Sequence, residues 1–263
     1  MLKQRILTAI VALSVIAVVL FVMPSMIARL IIMSLFMAAA WEWSGFLIKD
    51  SLVQRLIYVA FIVTLIVMLF LNLPDAELLD TVLKLAMVWW AVALVWLFFY
   101  PTRIIKPVSW VCGALVMVPA WIALDYLYLV SADLLLFVLL IVWVADVGAY
   151  FVGKGFGRVK LAPEISPGKT WEGVLGGLCA VFLLAIVGSR FVAIEAAILV
   201  PFCIAVAMLS VVGDLTVSMF KRSANVKDSG KLFPGHGGVL DRIDSVTAAA
   251  PLFVLALYWI GLR

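Results

Sequence analysis

Charge is scarce in this chain: only 13% of its 263 residues are Asp, Glu, Lys or Arg, while 67% are hydrophobic. A soluble globular domain carries roughly a quarter charged residues, and no single core of this length hides so much apolar surface from water. That excludes a water-soluble enzyme or binding module and makes lipid the solvent for most of the chain. The basic excess is small, +4, and forms no continuous stripe, so nucleic acid is not an expected partner. Cysteine is limited to Cys112, Cys179 and Cys203, all inside apolar runs and without metal-ligand spacing. They read as small buried hydrophobes, not as disulfide or metal partners. A small-x-small cleavage site is missing after the basic, apolar N-terminus MLKQRILTAIVALSVIAVVLFVMP, which therefore reads as a retained first helix. No convincing internal repeat or low-complexity tract is present.

What the chain does have is a series of long apolar runs. A bilayer core about 30 Å thick takes about 20 apolar residues in a helix. Such runs lie near Ile6–Met23, Met26–Ile48, Leu52–Leu73, Leu78–Tyr100, Val108–Val130, Leu134–Val152, Trp171–Phe191, Ile194–Val217 and Ser245–Leu262, with Pro24, Pro74, Pro101 and Pro107 at breaks between them. The expected fold is an all-α polytopic membrane protein with about nine transmembrane helices. It reads as a single domain, 1–263, with N-terminal helices over 1–130 and catalytic helices over 131–263. An inside N-terminus places 15 of the 19 Lys and Arg on the inner side and only Arg29, Lys84, Arg190 and Arg263 outside. The positive-inside rule then predicts a cytoplasmic N-terminus and an outer C-terminus. Trp89, Trp90, Tyr100, Tyr126, Tyr128 and Trp259 read as interfacial anchors.

Two inner segments are long, glycine-rich and charged, residues 153–170 and 218–244, and long loops in compact proteins usually carry function. In the second, Asp241 and Asp244 are three apart at the start of an apolar run, so a helix there would put both on one face near its N-terminus. Helix capping is one reading of the pair; ligation of a hard divalent cation such as Mg2+ is the other. The second is favoured by the neighbouring glycines, the nearby Lys and Arg, and Asp214, an acid inside the preceding apolar span. Asp214 itself reads either as a structural partner of Lys221 or Arg222 or as a third metal ligand. In the first segment, Asp146 and Glu172 bracket Lys154, Arg158, Lys160 and Lys169, which suits a loop holding polyphosphate through cations and backbone N–H groups. SPGKT is not a P-loop, because Pro163 stands where that motif needs glycine. His236, between glycines, reads equally as a turn residue and as a phosphate contact. Glu42, in AAAWEWSG, reads as a buried partner or as an edge of the site.

The stretch Ser218–Asp244 resembles the signature of the phosphatidate cytidylyltransferases, also called CDP-diacylglycerol synthases, of bacterial type. The fixed positions are Ser218, Lys221-Arg222, Lys227-Asp228, His236-Gly237-Gly238, Asp241-Arg242 and Asp244, and all are matched. Ser-Pro-Gly-Lys-Thr-Trp-Glu-Gly over residues 166–173 is similar to the family as well. The resemblance implies transfer of the cytidylyl group of CTP to phosphatidate with Mg2+, at one or two divalent sites with room for a second cation. It also implies a homodimer in the cell inner membrane with its active site at the cytoplasmic face. On that basis Lys221, Arg222, Lys227, Asp228, His236 and Arg242 are the expected catalytic residues. Ser218, Lys169, Thr170, Glu172, Asp146, Gly237 and Gly238 are expected to bind substrate, and Asp214, Asp241 and Asp244 to bind metal. A CDP-alcohol phosphotransferase would need an Asp-Gly and Asp-Asp arrangement that is missing, and the complete signature argues against a polyprenol kinase. An ion-coupled transporter predicts acids near mid-membrane and two related halves, whereas these acids collect at one face.

Overall fold

A computed structural model describes residues 13–46, 48, 51–72, 76–191, 194–230, 232 and 237–259. Helices dominate them: 13–21 (α1), Ser25–Gly45 (α2), Leu52–Asn72 (α3), Ala76–Leu97 (α4), Lys106–Val130 (α5), Ala132–Phe156 (α6), Trp171–Gly188 (α7), Ala196–Ser223 (α8) and Leu240–Trp259 (α9). Between α6 and α7 lies an antiparallel hairpin, Lys160–Ala162 (β1) with Ser166–Thr170 (β2), in which Lys160 faces Thr170. The all-α polytopic architecture holds in outline, and the hairpin is the departure from it. Seven helices, α2 to α8, are long and apolar enough to cross a membrane.

The last helix is different in kind. Thirteen of the twenty residues of α9 are buried, and it touches α2, α4, α5, α6 and α8. It is the central helix of the bundle rather than a lipid-facing one. Its small residues, Ser245, Thr247, Ala248, Ala249 and Ala250, allow this, because helices in lipid associate through close packing of small side chains. α8 comes close to it at Gly213, where a Cβ would stand 2.7 Å from the Asp244 carbonyl oxygen. Gly177 does the same for α7, where a Cβ would meet the Ala145 carbonyl oxygen of α6 at 2.6 Å. Away from this region, Arg29 of α2 and Asp125 of α5 form a two-pronged ion pair, Nε–Oδ1 at 2.6 Å and Nη2–Oδ2 at 2.8 Å, which keeps both charges out of contact with lipid.

Several expected boundaries move. α6 runs on to Phe156, α8 to Ser223, and α9 begins at Leu240. Apolar runs end where the hydrocarbon ends, but intrahelical hydrogen bonds continue into the wet interface, so charged residues extend the helices. Residues 153–170 and 218–244 are therefore only partly loop. Trp89 and Trp90 prove to be buried in the middle of α4, not interfacial. Cys112 and Cys203 are buried as expected, whereas Cys179 is exposed on α7.

Candidate active site

Extension of α8 past the apolar run decides the geometry of the site. Asp214, Ser218 and Lys221 are spaced by four and three residues on one helix and so share a face. The Ser218 hydroxyl donates to Asp214 Oδ1 at 3.1 Å. The other oxygen of Asp214 pairs with Lys169 Nζ at 2.6 Å. That lysine comes from β2, one residue before Thr170, whose hydroxyl caps α7 by accepting the Gly173 amide at 3.1 Å. The hairpin thus carries a cation from the α6–α7 connection onto α8. Glu172 holds its other end, accepting the Val159 amide at 3.1 and 3.2 Å.

The next link in the same polar chain is Lys221, which is only 7% exposed. Its ammonium group lies 2.7 Å from Asp241 Oδ1 and 4.0 Å from Asp244 Oδ2, both on α9. Asp241 serves two roles: its Oδ2 accepts the amides of Ser229 and Gly238, each at 2.9 Å. The Gly238 bond is the backward half of a capping box. The capping reading of Asp241 is therefore correct for one oxygen, while the other is engaged with the buried cation. Asp244 is buried, with Oδ1 2.8 Å from the Ser245 amide, and it feels the charges of Asp214, Lys221 and Lys169. Asp146 of α6 lies within electrostatic reach of Lys169 and Asp214.

Of the expected site residues, Asp146, Lys169, Asp214, Ser218, Lys221, Asp241 and Asp244 converge in one cluster. Arg222 turns aside, donating Nε to the Ile165 carbonyl at 3.1 Å and bracing the hairpin. Lys227 and Asp228 are exposed in the bend after α8, and Arg242 is exposed on α9. Gly237 has φ +81, and a Cβ there would stand 2.6 Å from Asp241 Oδ2, so the turn requires glycine. His236 lies outside the described residues. What the sequence left undecided is Glu42, which accepts three hydrogen bonds at the base of the signature loop: Val239 N and Leu240 N at 2.9 Å and Ser229 Oγ at 2.7 Å. A carboxylate inside an apolar span was the available signal.

No group of three or more His, Cys, Asp and Glu among the described residues is already arranged around a metal position; lysines stand among the acids instead. The donor set nevertheless suits a hard divalent cation. Four carboxylates (Asp146, Asp214, Asp241 and Asp244) are interleaved with two ammonium groups (Lys169 and Lys221). At formal charge that leaves the cluster two positive charges short, and all the candidate ligands are oxygens.

The chain as a whole is similar to named proteins. A match to the cytidylyltransferase family covers residues 3–260. The chain is 42% identical to a phosphatidate cytidylyltransferase of Pseudomonas aeruginosa, over 98% of this chain and 97% of the relative. It is 37% identical to one from Haemophilus influenzae, over 96% of this chain and 97% of the relative. With one from Staphylococcus epidermidis it shares 46% identity over 47% of this chain and 48% of the relative. With residues 3–260 matched and nearly the whole length shared, the chain belongs to the cytidylyltransferase family and is a member of its phosphatidate cytidylyltransferases.

Proposed function

We propose that this protein transfers the cytidylyl group of CTP to phosphatidate, releasing pyrophosphate and forming CDP-diacylglycerol for phospholipid biosynthesis. The observation that carries the reading is the convergence of Lys169 and Asp214 with Lys221, Asp241 and Asp244, the last three from the stretch that resembles the family signature. A phosphate oxygen of phosphatidate attacks the α-phosphorus of CTP, the bond to the bridging oxygen of the β-phosphate breaks, and pyrophosphate leaves in line. Both reactants are anions, so their approach in a low-dielectric setting depends on cations already in place. Lys169 and Lys221, with Arg222, Lys227 and Arg242 nearby in sequence, are the residues we assign to that neutralisation. Phosphatidate is already ionised at neutral pH, so its oxygen needs no strong base.

We assign Asp214, Asp241 and Asp244 to hold Mg2+, which when bound supplies positive charge to the phosphates. The chemistry of the donor set and the two missing charges support this. The expectation of a homodimer rests on the family resemblance.

Turnover with labelled CTP and phosphatidate by purified protein tests the activity. CDP-diacylglycerol should form with Mg2+ and fall to background with EDTA; no product under either condition would overturn the reading, and full activity in EDTA would remove the metal from it.

We place the site on the cytoplasmic face of the cell inner membrane. Among the described residues only Arg29, Lys84 and Arg190 lie at the opposite ends of the helices from it, and the inner side is the one rich in Lys and Arg. Reporters fused after Gly157 and after Lys227 should both report cytoplasm, and one after Arg263 the outside. A cytoplasmic Arg263 reporter would remove one span from the nine.

A further inference from the structure

Asp241 caps α9 from within its first turn by accepting the Gly238 amide, but the residues just before the helix supply no capping side chain. The residues before it are Gly237, Gly238 and Val239, none with a side-chain oxygen to receive the orphan amides of a first turn. Those amides are received by Glu42 instead, from α2 and 197 residues away for Val239. Each of its oxygens takes one backbone N–H, and Oε2 also takes the Ser229 hydroxyl. The amide of the same serine goes to Asp241. Ser229 is therefore held between two carboxylates, Asp241 on α9 and Glu42 on α2, while the Gly238 amide is held by Asp241. The fit leaves no slack, because a Cβ on Gly230 or Gly238 would overlap the Glu42 carboxyl group.

We propose that Glu42 is a positioning residue for nucleotide binding. By fixing Ser229, Val239 and Leu240 it presents the Gly237–Gly238 backbone to the triphosphate and keeps α9 in register with Lys221. The inference rests on the transferase reading above and adds to it a residue from the N-terminal half of the chain.

Glu42→Gln keeps the shape but turns an NH2 group towards one set of donors, so at least one charge-assisted bond is lost. For the detergent-purified variant, KM for CTP should rise or kcat/KM for CTP should fall by about 10- to 100-fold. KM for phosphatidate should stay within about 2-fold, as expected if the lipid is not held by this loop, and the melting temperature should stay near that of the parent protein. A residue that only supports the fold would lower the yield and the melting temperature while leaving both KM values of the surviving enzyme unchanged. Should Glu42→Gln not fold, Ser229→Ala removes one of the three bonds and should raise KM for CTP by about 3- to 10-fold. In the double variant the two losses should not add, because they act through one contact. Equal changes in both KM values, or none in either variant, would overturn the proposal. The parent enzyme is assayed first, so its inactivity would count against the transferase reading and not against Glu42.

Discussion

Asp241→Asn and Asp244→Asn should each lose at least about 100-fold in activity, equivalent to about 2.7 kcal/mol of transition-state stabilisation. Asparagine preserves the size of both side chains and most of their hydrogen bonds. At position 241 its oxygen can still accept the Ser229 and Gly238 amides, so the cap survives, but the partner of Lys221 becomes neutral. Asp244 is buried, adjoins Lys221 and feels the charge of Asp214, and Asn there removes one of the charges that Mg2+ needs. The measurement is turnover per folded enzyme over a Mg2+ series, with the melting temperature followed in parallel. Partial recovery at raised Mg2+ is expected where cation binding is the main loss. Capping alone predicts otherwise, since Asn is about as good a cap as Asp. A folded, fully active Asp244→Asn enzyme with unaltered Mg2+ dependence would remove it as a ligand.

Lys221→Met should cost both stability and turnover. Its ammonium is the buried cation between Asp241 and Asp244, and its charge also reaches Asp214. Methionine fills the volume of the stem and leaves Asp241 and Asp244 without the cation they share. Removing one member of a buried pair typically costs about 3–5 kcal/mol. The variant should melt well below the parent protein and show activity near background. Added Mg2+ should restore part of the melting temperature, because the freed carboxylates need a cation. Lys221→Arg should recover stability more than turnover, since a planar fork replaces a compact charge. A Lys221→Met protein as stable and active as the parent would reduce this residue to an ordinary inner-face lysine.

Much of this was legible in the residues. Apolar run length placed α2 to α8, and the Asp-x-x-Asp spacing placed Asp241 and Asp244 together if the run was helical, which it is. Hydropathy was blind where helices leave the hydrocarbon. It gave Ser218, Lys221 and Arg222 to a loop when they complete α8, and with them went the face that aligns Asp214 with Lys221. The hairpin escaped notice because SPGKT is too short and polar to show a strand period. Thr170 and Glu172, expected at substrate, also have local work as the cap of α7 and the anchor of β1. Glu42 could be flagged as an acid in an apolar run, but two of its three partners are backbone amides, which carry no sequence signal, and all three lie at the far end of the chain.

That separation bears on how the protein is made. Glu42 enters the membrane early in synthesis, while Val239 and Leu240, whose amides will donate to it, are still untranslated. Until the final helix is inserted, this carboxylate lacks the two backbone donors that satisfy it in the folded protein. A chain ending before α9 lacks both amides, so of the three donors that satisfy this carboxylate in the folded protein only the Ser229 hydroxyl is left to it.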